Sequence, residues 1–387
     1  MIEINKKIEA CLMISSYLET VGFKNGNWEF NFGEKIDSIN MYINTWTYLL
    51  NEYFILGGSN IDITGWNSSD DTILMVATAR SVIEGGREEN YKKYYINYFD
   101  ELMKDKRFTG INTRNTLLLL NKGYSIETLE INSKMGGNGA AIRTSPIGIK
   151  WYKNIEKVIE ESLIASKLTH NYYLGFLGGM ITALFTAFAM NNIEPWKWCD
   201  ELIILYDNKI IEKYFIKDKR HNLNDLNYYI GFWKKYKETR ISKLEYKNTS
   251  DNFISPSARI KFILGFSSKN IIEQLNNGIG LNQLKIKWDA IGSSGLDSCI
   301  YAYDCLLLSM NTPGSRKLDF NNINYSWDSF MALVAIHPGD NDSTAAIGGA
   351  WYGALLGYNG IDINRMKQLE FYKELKEVSD KIINSIK

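Results

Sequence analysis

Apolar residues recur along the chain at the spacing of helices rather than strands. In three stretches they fall three or four positions apart, so that each stretch has one apolar face, and strict alternation of apolar and polar residues is scarce. This pattern predicts a mostly α-helical fold. The residues that set the spacing are Ile73, Val76, Ala77 and Ile83, then Leu177, Ile181, Leu184, Phe185 and Phe188, then Ile347, Trp351 and Leu355.

Two of the predicted helices carry clear start and stop signals. The sequences NSSDDT (67–72) and DNDST (340–344) each offer an N-cap residue and acidic groups for the first turn. The glycines of EGG (84–86) and GYNG (357–360) are typical of helix ends. Both helices are therefore expected to begin next to a pair of aspartates.

The chain shows no break between compositional regimes. Its five prolines are scattered, no Ser/Gly/Pro-rich linker separates two regions, and no repeat recurs at a period of roughly 20 to 50 residues. We therefore expect one domain over residues 1–387.

One stretch raises the question of a membrane span. Residues 169–192 carry no charged side chain and are long enough to cross a hydrocarbon core of about 30 Å. The stretch is rich in Gly, Tyr and Thr, and its flanks lack a one-sided excess of Lys and Arg. It is therefore predicted to be a buried core helix.

The charge balance argues against attraction of the whole protein to nucleic acid or to an anionic membrane. Lys+Arg and Asp+Glu both total 44 in 387 residues, so local groups must hold any anionic ligand. The lysine-rich stretch 209–247 is patterned like a solvated helical hairpin rather than an RNA-binding surface. The four cysteines form no C-x-x-C pair, and the first ten residues lack a secretory leader pattern. Reduced thiols and a cytoplasmic location are expected.

The polar motifs favour oxygen ligands for any bound metal ion. The three histidines form no H-E-x-x-H motif, whereas two helix starts, residues 69–72 and 340–344, concentrate oxygen donors. Each start alone is explained as an N-cap, which stabilises a helix by about 1 kcal/mol. If the two starts meet in space, four carboxylates must take up protons or share cations such as Mg²⁺, Mn²⁺ or Ca²⁺.

Two other interpretations of the second helix start fail on detail. An EF-hand loop beginning at Asp340 would need glycine where Ala345 stands and glutamate where Trp351 stands. A phosphatase nucleophile motif D-x-D-x-T should directly follow a buried strand, but His-Pro-Gly precedes Asp340 and only 47 residues (387 minus 340) follow it. We expect neither.

Two glycine-rich stretches are suited to holding an anionic ligand. GGNG (136–139) runs into an apolar segment, GSSG (292–295) enters another helix, and glycine lets backbone N–H groups approach a phosphate closely. Neither stretch matches a P-loop or the full dinucleotide fingerprint. A purely structural turn and a helix cap, respectively, stay open for them.

Taken in order, these motifs resemble those of the ADP-ribosylglycohydrolases, and most closely the ADP-ribosylarginine hydrolases. NGNWEF (25–30) is similar to the W-E-F element of that branch, SSDDT (68–72) to its metal motif, and GGNGAAIR (136–143) to its ligand loop. LTHNYYLGFLGGM (168–180) resembles the Thr-His element and core helix. GSSGLD (292–297) and GDNDSTAA (339–346) resemble the G-S-S-G-x-D loop and the closing G-D-x-D-[ST]-x-A motif, so the resemblance spans nearly the whole chain.

The resemblance implies an all-α, single-domain, compact multi-helix bundle with a binuclear Mg²⁺ centre, Mn²⁺ being an alternative. It implies that a monomer hydrolyses the N-glycosidic bond between ADP-ribose and arginine on mono-ADP-ribosylated proteins and releases ADP-ribose. The implied metal ligands are Ser69, Asp70, Asp71, Asp340, Asp342 and Ser343, the ADP-ribose contacts are Gly137, Asn138, Gly139, His170, Ser293, Ser294 and Gly295, and the catalytic residues are Asp70, Asp71 and Glu29.

Three alternatives stay open at this point. The same chemistry could act on another linkage, such as ADP-ribosyl-serine or O-acetyl-ADP-ribose, or the protein could be a catalytically silent ADP-ribose-binding module. An unrelated Mg²⁺ phosphohydrolase acting on a nucleotide diphosphate is a weaker alternative. The W-E-F and G-S-S-G-x-D elements favour the arginine linkage, and oxygen donors at all six implied ligand positions favour an active enzyme.

The chain departs from the family pattern in three places. Residues 18–22 read Leu-Glu-Thr-Val-Gly where the family has G-D-A-L-G, so Glu19 replaces an aspartate, and this change is expected not to touch a metal ligand. Pro338 stands where a glycine is usual, so Gly339 must turn the chain alone. Asn171 and Tyr172 replace more polar residues after the Thr-His pair.

Overall fold

A computed structural model describes residues 2–30, 35–104, 107, 109–241, 291–311 and 324–386, and these residues are mostly helical, as predicted. Short turns and 3₁₀ segments join the helices, and one small antiparallel sheet pairs Met310 with Tyr325. That residues 1–387 form one domain stays a prediction. The elements are α1 (Ile4–Phe23), α2 (Ile39–Ile55), α3 (Asp70–Ile83), α4 (Glu88–Lys104), α5 (Ile111–Asn121), α6 (Ser145–Lys150), α7 (Ile155–Lys167), α8 (Tyr173–Met190), α9 (Trp198–Asp207), α10 (Ile210–Phe215), α11 (Leu223–Tyr236), α12 (Asp297–Leu308), β1 (Met310–Asn311), β2 (Asn324–Tyr325), α13 (Trp327–Ala335), α14 (Asn341–Leu356) and α15 (Tyr372–Ile386).

The apolar helix α8 lies in the centre of the core. It is long and apolar enough to cross a membrane by length and composition, but 89% of its apolar window is buried inside the protein. Its Phe185 ring packs against the rings of Trp198, Trp233, Tyr303 and Trp351, with centroids 5.2–5.3 Å apart. The prediction of a buried core helix is confirmed.

The helices α1 and α14 pack with their backbones in contact. A Cβ atom at Gly353 would lie 2.3 Å from the carbonyl oxygen of Ala10, and one at Gly349 would lie 2.7 Å from that of Ile14. The buried Ser15 Oγ also donates a hydrogen bond of 2.8 Å to the carbonyl oxygen of Ala346. The glycines of α14 therefore permit an approach that any side chain would prevent.

The predicted start and stop signals are those of α3 and α14. Helix α3 begins at Asp70 after the N-cap Ser69, and positive φ angles at Gly85 and Gly86 follow its end. Helix α14 begins at Asn341 and ends before Gly357, whose φ is +58°. Local sequence signals thus determined where both helices begin and end.

The described part of the lysine-rich stretch is helical, as predicted. It forms α10 and α11, and α11 continues into a π-helical turn at Lys237–Ile241. One face of α11, including Leu226, Ile230 and Trp233, is buried in the core. Residues 242–247 of the predicted hairpin lie outside the described residues.

We predict that Gly353→Ala destabilises the protein by about 1–3 kcal/mol, because its Cβ would overlap the backbone of α1. Urea denaturation measures the change. The matched control is Gly231→Ala in α11, where nothing lies within 4 Å of the added Cβ, so this variant should be neutral or stabilised by up to about 1 kcal/mol. Equal stabilities for the two variants would contradict the close contact.

Candidate metal centre and ligand loops

The starts of α3 and α14 meet in space, as the metal-site prediction requires. The Ser343 Oγ donates a hydrogen bond of 3.0 Å to Asp71 Oδ2, which joins the two helix starts directly. Carboxylate oxygens of Glu29, Asp340 and Asp342 all lie within 4.8 Å of one another. We call Glu29, Asp70, Asp71, Asp340 and Asp342 the carboxylate cluster.

The first half of the cluster is held by caps at the start of α3. The Ser69 Oγ accepts a hydrogen bond from the Asp71 backbone N–H at 3.2 Å, as an N-cap does. The Asp70 Oδ2 accepts a longer one, 3.4 Å, from the Gly110 backbone N–H. Asp71 is buried, whereas Asp70 is half-buried. Asp70 is therefore the more accessible carboxylate of this half.

The second half depends on a turn that only glycine makes easily. Gly339 has a φ of +110°, and a Cβ atom there would lie 2.4 Å from the carbonyl oxygen of Ile291. That same oxygen accepts a hydrogen bond of 2.8 Å from the Asp340 backbone N–H. As expected from the sequence, Gly339 makes the turn after Pro338, and Asp340 then enters the site.

Glu29 reaches the cluster on the segment before α2. The neighbouring Trp28 is fully buried, and its Nε1–H donates a hydrogen bond of 2.7 Å to Glu52. On the other side, the Phe30 backbone N–H donates one of 2.8 Å to the carbonyl oxygen of Gly339. The Trp-Glu-Phe element thus anchors Glu29 on both sides, and it docks directly onto the turn that carries Asp340.

Burial raises the pKa of every carboxyl group in the cluster, and neighbouring negative charges add to the effect for most of them. The pKa of Glu29 is raised to about 9, first by burial and then by the charges of Asp340 and Asp70. Burial raises the pKa of Asp70 to about 6 and that of the adjacent Glu19 to about 7. The other groups raised, in each case mainly by burial, are Asp71, Asp340 and Asp342.

The residues of the cluster fit a hard divalent cation. Carboxylate and hydroxyl oxygens are the donors that Mg²⁺ and Mn²⁺ take, and several acidic oxygens come together here. Bound cations would offset both the burial of these negative charges and their mutual repulsion. That acidic group, Glu29, Asp340 and Asp342, shares two residues with the ligands implied by the sequence, which were Ser69, Asp70, Asp71, Asp340, Asp342 and Ser343.

The two glycine stretches form one paired structure beside the cluster. Gly137 pairs with Ser294 in an isolated antiparallel β-bridge, and the Asn138 backbone N–H donates a hydrogen bond of 3.0 Å to the carbonyl oxygen of Ser293. The Asn138 Nδ2 donates 3.1 Å to Asp340 Oδ2. Asn138 therefore connects the predicted ligand loop to a predicted metal ligand.

Asp297 shapes the second glycine stretch. Its carboxylate accepts hydrogen bonds of 2.8 Å from the backbone N–H groups of Gly292 and Ser294, and one of 2.6 Å from Ser294 Oγ. Ser293 and Ser294 are half-buried, whereas Gly295 is buried, where a Cβ would lie 2.2 Å from the carbonyl oxygen of Leu174. Gly295 thus permits close packing on α8.

His170 lies against the first glycine stretch. A Cβ atom at Gly139 would lie 2.7 Å from its ring, and its Nδ1 is 2.9 Å from Thr169 Oγ1. Burial, helped by the charge of Arg143, lowers the pKa of His170 to about 3. The imidazole is therefore neutral at physiological pH and acts here as a hydrogen-bonding group.

Arg143 is a site residue that the motif analysis did not single out. It is fully buried and donates hydrogen bonds to the carbonyl oxygens of Gly139 and Ala165 and to Thr169 Oγ1, while its guanidinium lies 4.7 Å from the centroid of the Tyr95 ring. These contacts tie the glycine loop to the Thr-His element. Its position at the end of GGNGAAIR was the available signal.

One expectation about the family departures is wrong. Glu19 was expected not to touch a metal ligand, yet its carboxylate accepts a hydrogen bond from the backbone N–H of Ser69. The sequence could not reveal this contact, because it joins residues 50 positions apart. The departure at Asn171 also has a partner: Asn171 is buried, and its Oδ1 is 3.2 Å from His221 Nε2.

Comparisons with known proteins agree with the sequence motifs. A family model described as ADP-ribosylglycohydrolase matches residues 26–387. The ADP-ribosylhydrolase ARH1 of Dictyostelium discoideum is 30% identical over 98% of this chain and 95% of its own length. The ADP-ribosylhydrolase ARH3 of Xenopus tropicalis is 23% identical over 81% of this chain and 80% of its own. A solved structure of an ADP-ribosylglycohydrolase-related protein complex has the same fold, with a TM-score of 0.55 over 99% of this chain and 100% of that one, at 12% identity.

The raised pKa values predict how the stability of the chelator-treated protein depends on pH. Each of these carboxyl groups has a higher pKa in the folded than in the unfolded protein. Below about pH 4 its protonated form contributes fully to stability, and this contribution is lost as the pH rises through the folded-state pKa. For Asp70, Glu19 and Glu29 these values are about 6, 7 and 9. The Tm in chelator should therefore fall from about pH 5 to about pH 9.

Differential scanning fluorimetry measures this dependence. Saturating Mg²⁺ should raise the Tm more at about pH 8 than at about pH 6, since protons compete less with the cation. Asp342→Asn removes one buried acidic group and should flatten the curve measured in chelator. A Tm in chelator that is constant over this pH range would contradict the raised pKa values of the buried carboxyl groups.

The turn at Pro338 and Gly339 generates a separate prediction. Gly339→Ala places a Cβ in the left-handed region and against Ile291, so it should destabilise the protein by about 1–3 kcal/mol and weaken Mg²⁺ binding. Pro338→Gly should reduce stability by less than about 1 kcal/mol and leave Mg²⁺ affinity unchanged. Chemical denaturation and calorimetric titration test both. Impaired Mg²⁺ binding in Pro338→Gly alone would show that the proline, not the glycine, positions Asp340.

Proposed function

Since the chain belongs to the ADP-ribosylglycohydrolase family, we propose that it is a Mg²⁺-dependent hydrolase that removes ADP-ribose from arginine side chains of mono-ADP-ribosylated proteins. Hydrolysis of an ADP-ribose linkage is the activity that the family supports. The main observation behind the proposed Mg²⁺-dependent hydrolase is that two helix starts rich in oxygen donors meet beside the paired glycine loops.

The proposed metal ligands are Ser69, Asp70, Asp71, Asp340, Asp342 and Ser343. When bound, Mg²⁺ would orient the ribose hydroxyls and make water more acidic. The chain holds these donors in place by hydrogen bonds between them and their neighbours: Asp71 with Ser343, and Asp340 with Asn138. A preformed set of ligands needs little rearrangement when the cation binds.

The glycine loops and His170 are proposed to hold the ADP-ribose. Gly137 and Gly139 let the His170 ring pack against the loop backbone, and glycine backbone N–H groups can approach a phosphate closely. The neutral His170 can hydrogen-bond to the ligand without adding charge. Ser293 and Ser294, which are half-buried, belong to the second of the paired loops.

We assign the proton transfers to the two accessible carboxyl groups of the cluster. Asp70 and Glu29 are half-buried, whereas Asp71, Asp340 and Asp342 are buried. Hydrolysis adds the hydroxyl of water to the anomeric carbon, and the guanidine leaves with a proton. In this proposal Asp70 Oδ accepts the proton from water, and the Glu29 carboxyl delivers a proton to the departing nitrogen.

Two features support arginine as the linkage. The Trp-Glu-Phe and Gly-Ser-Ser-Gly-x-Asp elements resemble those of the arginine-specific branch, and both lie at the site. Serine and O-acetyl linkages are the alternatives within the family. A silent binding module is disfavoured, because all six proposed ligand positions carry oxygen donors.

The remaining proposals concern the cellular setting. An ADP-ribosylated protein is the proposed substrate and ADP-ribose the product, and we propose a cytoplasmic monomer with no nucleic-acid or membrane partner. Free, buried thiols at all four cysteines support a reducing compartment. The balanced charge supports the absence of nucleic acid.

The assay compares arginine- and serine-ADP-ribosylated proteins, with Mg²⁺ or with chelator, and measures released ADP-ribose. We expect release from the arginine substrate with Mg²⁺ only. Asp70→Asn and Asp71→Asn should reduce the rate by more than the roughly 10- to 100-fold typical of losing an outer-shell partner.

The matched control is Asp207→Asn, which alters a surface ion pair with Lys234 and should leave the rate unchanged. Release from the serine substrate alone would overturn the proposed linkage. Release from neither substrate by the wild-type protein would overturn the hydrolase, and AMP as product would indicate cleavage of the diphosphate instead.

A further inference from the structure

The last turn of α1 lies between the two halves of the carboxylate cluster. Glu19 contacts the start of α3, and Gly22, three residues further along this turn, contacts the start of α14. A Cβ atom at Gly22 would lie 2.9 Å from both the Cα and the backbone nitrogen of Asp342. The same helix turn thus packs on both groups of proposed metal ligands.

The Glu19 carboxylate is fully buried and holds three donors. Its Oε1 accepts a hydrogen bond from the Ser69 backbone N–H. Its Oε2 accepts one of 2.9 Å from Thr72 Oγ1 and one of 3.2 Å from Thr20 Oγ1. Thr20 Oγ1 also lies 3.0 Å from Ser68 Oγ, so the segment that leads into α3 is tied to α1 as well.

These contacts reproduce a capping box in which the acid comes from another helix. In a capping box, the third helical residue is Glu or Gln and accepts a hydrogen bond from the N-cap backbone N–H. Here that position is Thr72, whose hydroxyl donates to Glu19 instead, while Glu19 accepts from the backbone N–H of the N-cap Ser69. The first turn of α3 therefore depends on α1 for its orientation.

We propose that Glu19 is a positioning residue, whose carboxylate holds Ser69 and the first turn of α3 in register with α14 and thereby sets the affinity of the site for Mg²⁺. This inference rests on the proposed function, since it assumes that the cluster binds the cation. It assigns a role to a residue that departs from the family pattern. Aspartate, one methylene shorter, would not reach both Ser69 and Thr72 from the same backbone position.

The test measures Mg²⁺ affinity of the full-length protein without substrate, by calorimetric titration, and Tm in chelator. Glu19→Ala should weaken Mg²⁺ binding about 10- to 100-fold, as loss of an outer-shell partner does. Glu19→Gln should stay within about 3-fold of wild type, because its amide oxygen can accept from Ser69 while its NH₂ donates to the threonine hydroxyls. Glu19→Asp should fall between the two.

The control is Ser15→Ala, on the same helix. Ser15 is buried like Glu19, and its hydroxyl donates a hydrogen bond to Ala346 of α14, which is not a residue of the cluster. It should lower the Tm without changing Mg²⁺ affinity, which separates positioning from general stability. The electron paramagnetic resonance spectrum of bound Mn²⁺ gives a second readout and should change in Glu19→Ala but not in Ser15→Ala.

Three results would overturn the inference. Wild-type affinity in a folded Glu19→Ala variant would show that the contact does not matter. Equal losses in Ser15→Ala and Glu19→Ala would show that only stability changed. Absence of Mg²⁺ binding by the wild-type protein would remove the premise. If instead the wild-type protein binds Mg²⁺ and releases ADP-ribose, and Glu19→Ala has no effect, the proposed function stands and only this inference is excluded.

Discussion

The burial of several carboxyl groups close together is the constraint around which the site is built. Burial and neighbouring charges raise the pKa values of the cluster, that of Glu29 to about 9. The fold nevertheless brings these groups together, because contacts outside the cluster pack α1, α3 and α14. Close glycine contacts join α1 to α14, and hydrogen bonds that the Glu19 carboxylate accepts from Ser69 and Thr72 join α1 to α3.

Two helix starts reduce the electrostatic cost of this arrangement. The positive end of a helix dipole stabilises nearby negative charge by about 0.3–1 kcal/mol, and here both α3 and α14 begin beside pairs of aspartates. That amount is small compared with a shift of several pKa units, each worth about 1.4 kcal/mol. Cations are the groups that would balance the remaining charge, which is why the donor set itself points to a metal centre.

The proposed ligand loops are two paired glycine stretches shaped by backbone contacts. Hydrogen bonds to Asp297 shape one of the paired loops, and hydrogen bonds from Arg143 hold the other. Peptide groups of the loops therefore lie beside His170. Arg143 is fully buried, and its guanidinium donates hydrogen bonds within the protein rather than facing solvent. The proposed metal ligands and the proposed ligand loops thus lie on separate elements.

The sequence by itself determined the helical class, the starts and ends of α3 and α14, the burial of α8 and the residues that offer oxygen donors. These follow from apolar spacing, capping residues and side-chain chemistry, which act over a few positions along the chain. Only the tertiary structure revealed the hydrogen bonds between Glu19 and Ser69 and between Asn138 and Asp340, and the close backbone contact of Gly22 with Asp342. Those contacts join residues 50, 202 and 320 (342 minus 22) positions apart, and their geometry depends on how whole helices pack, which no local pattern encodes.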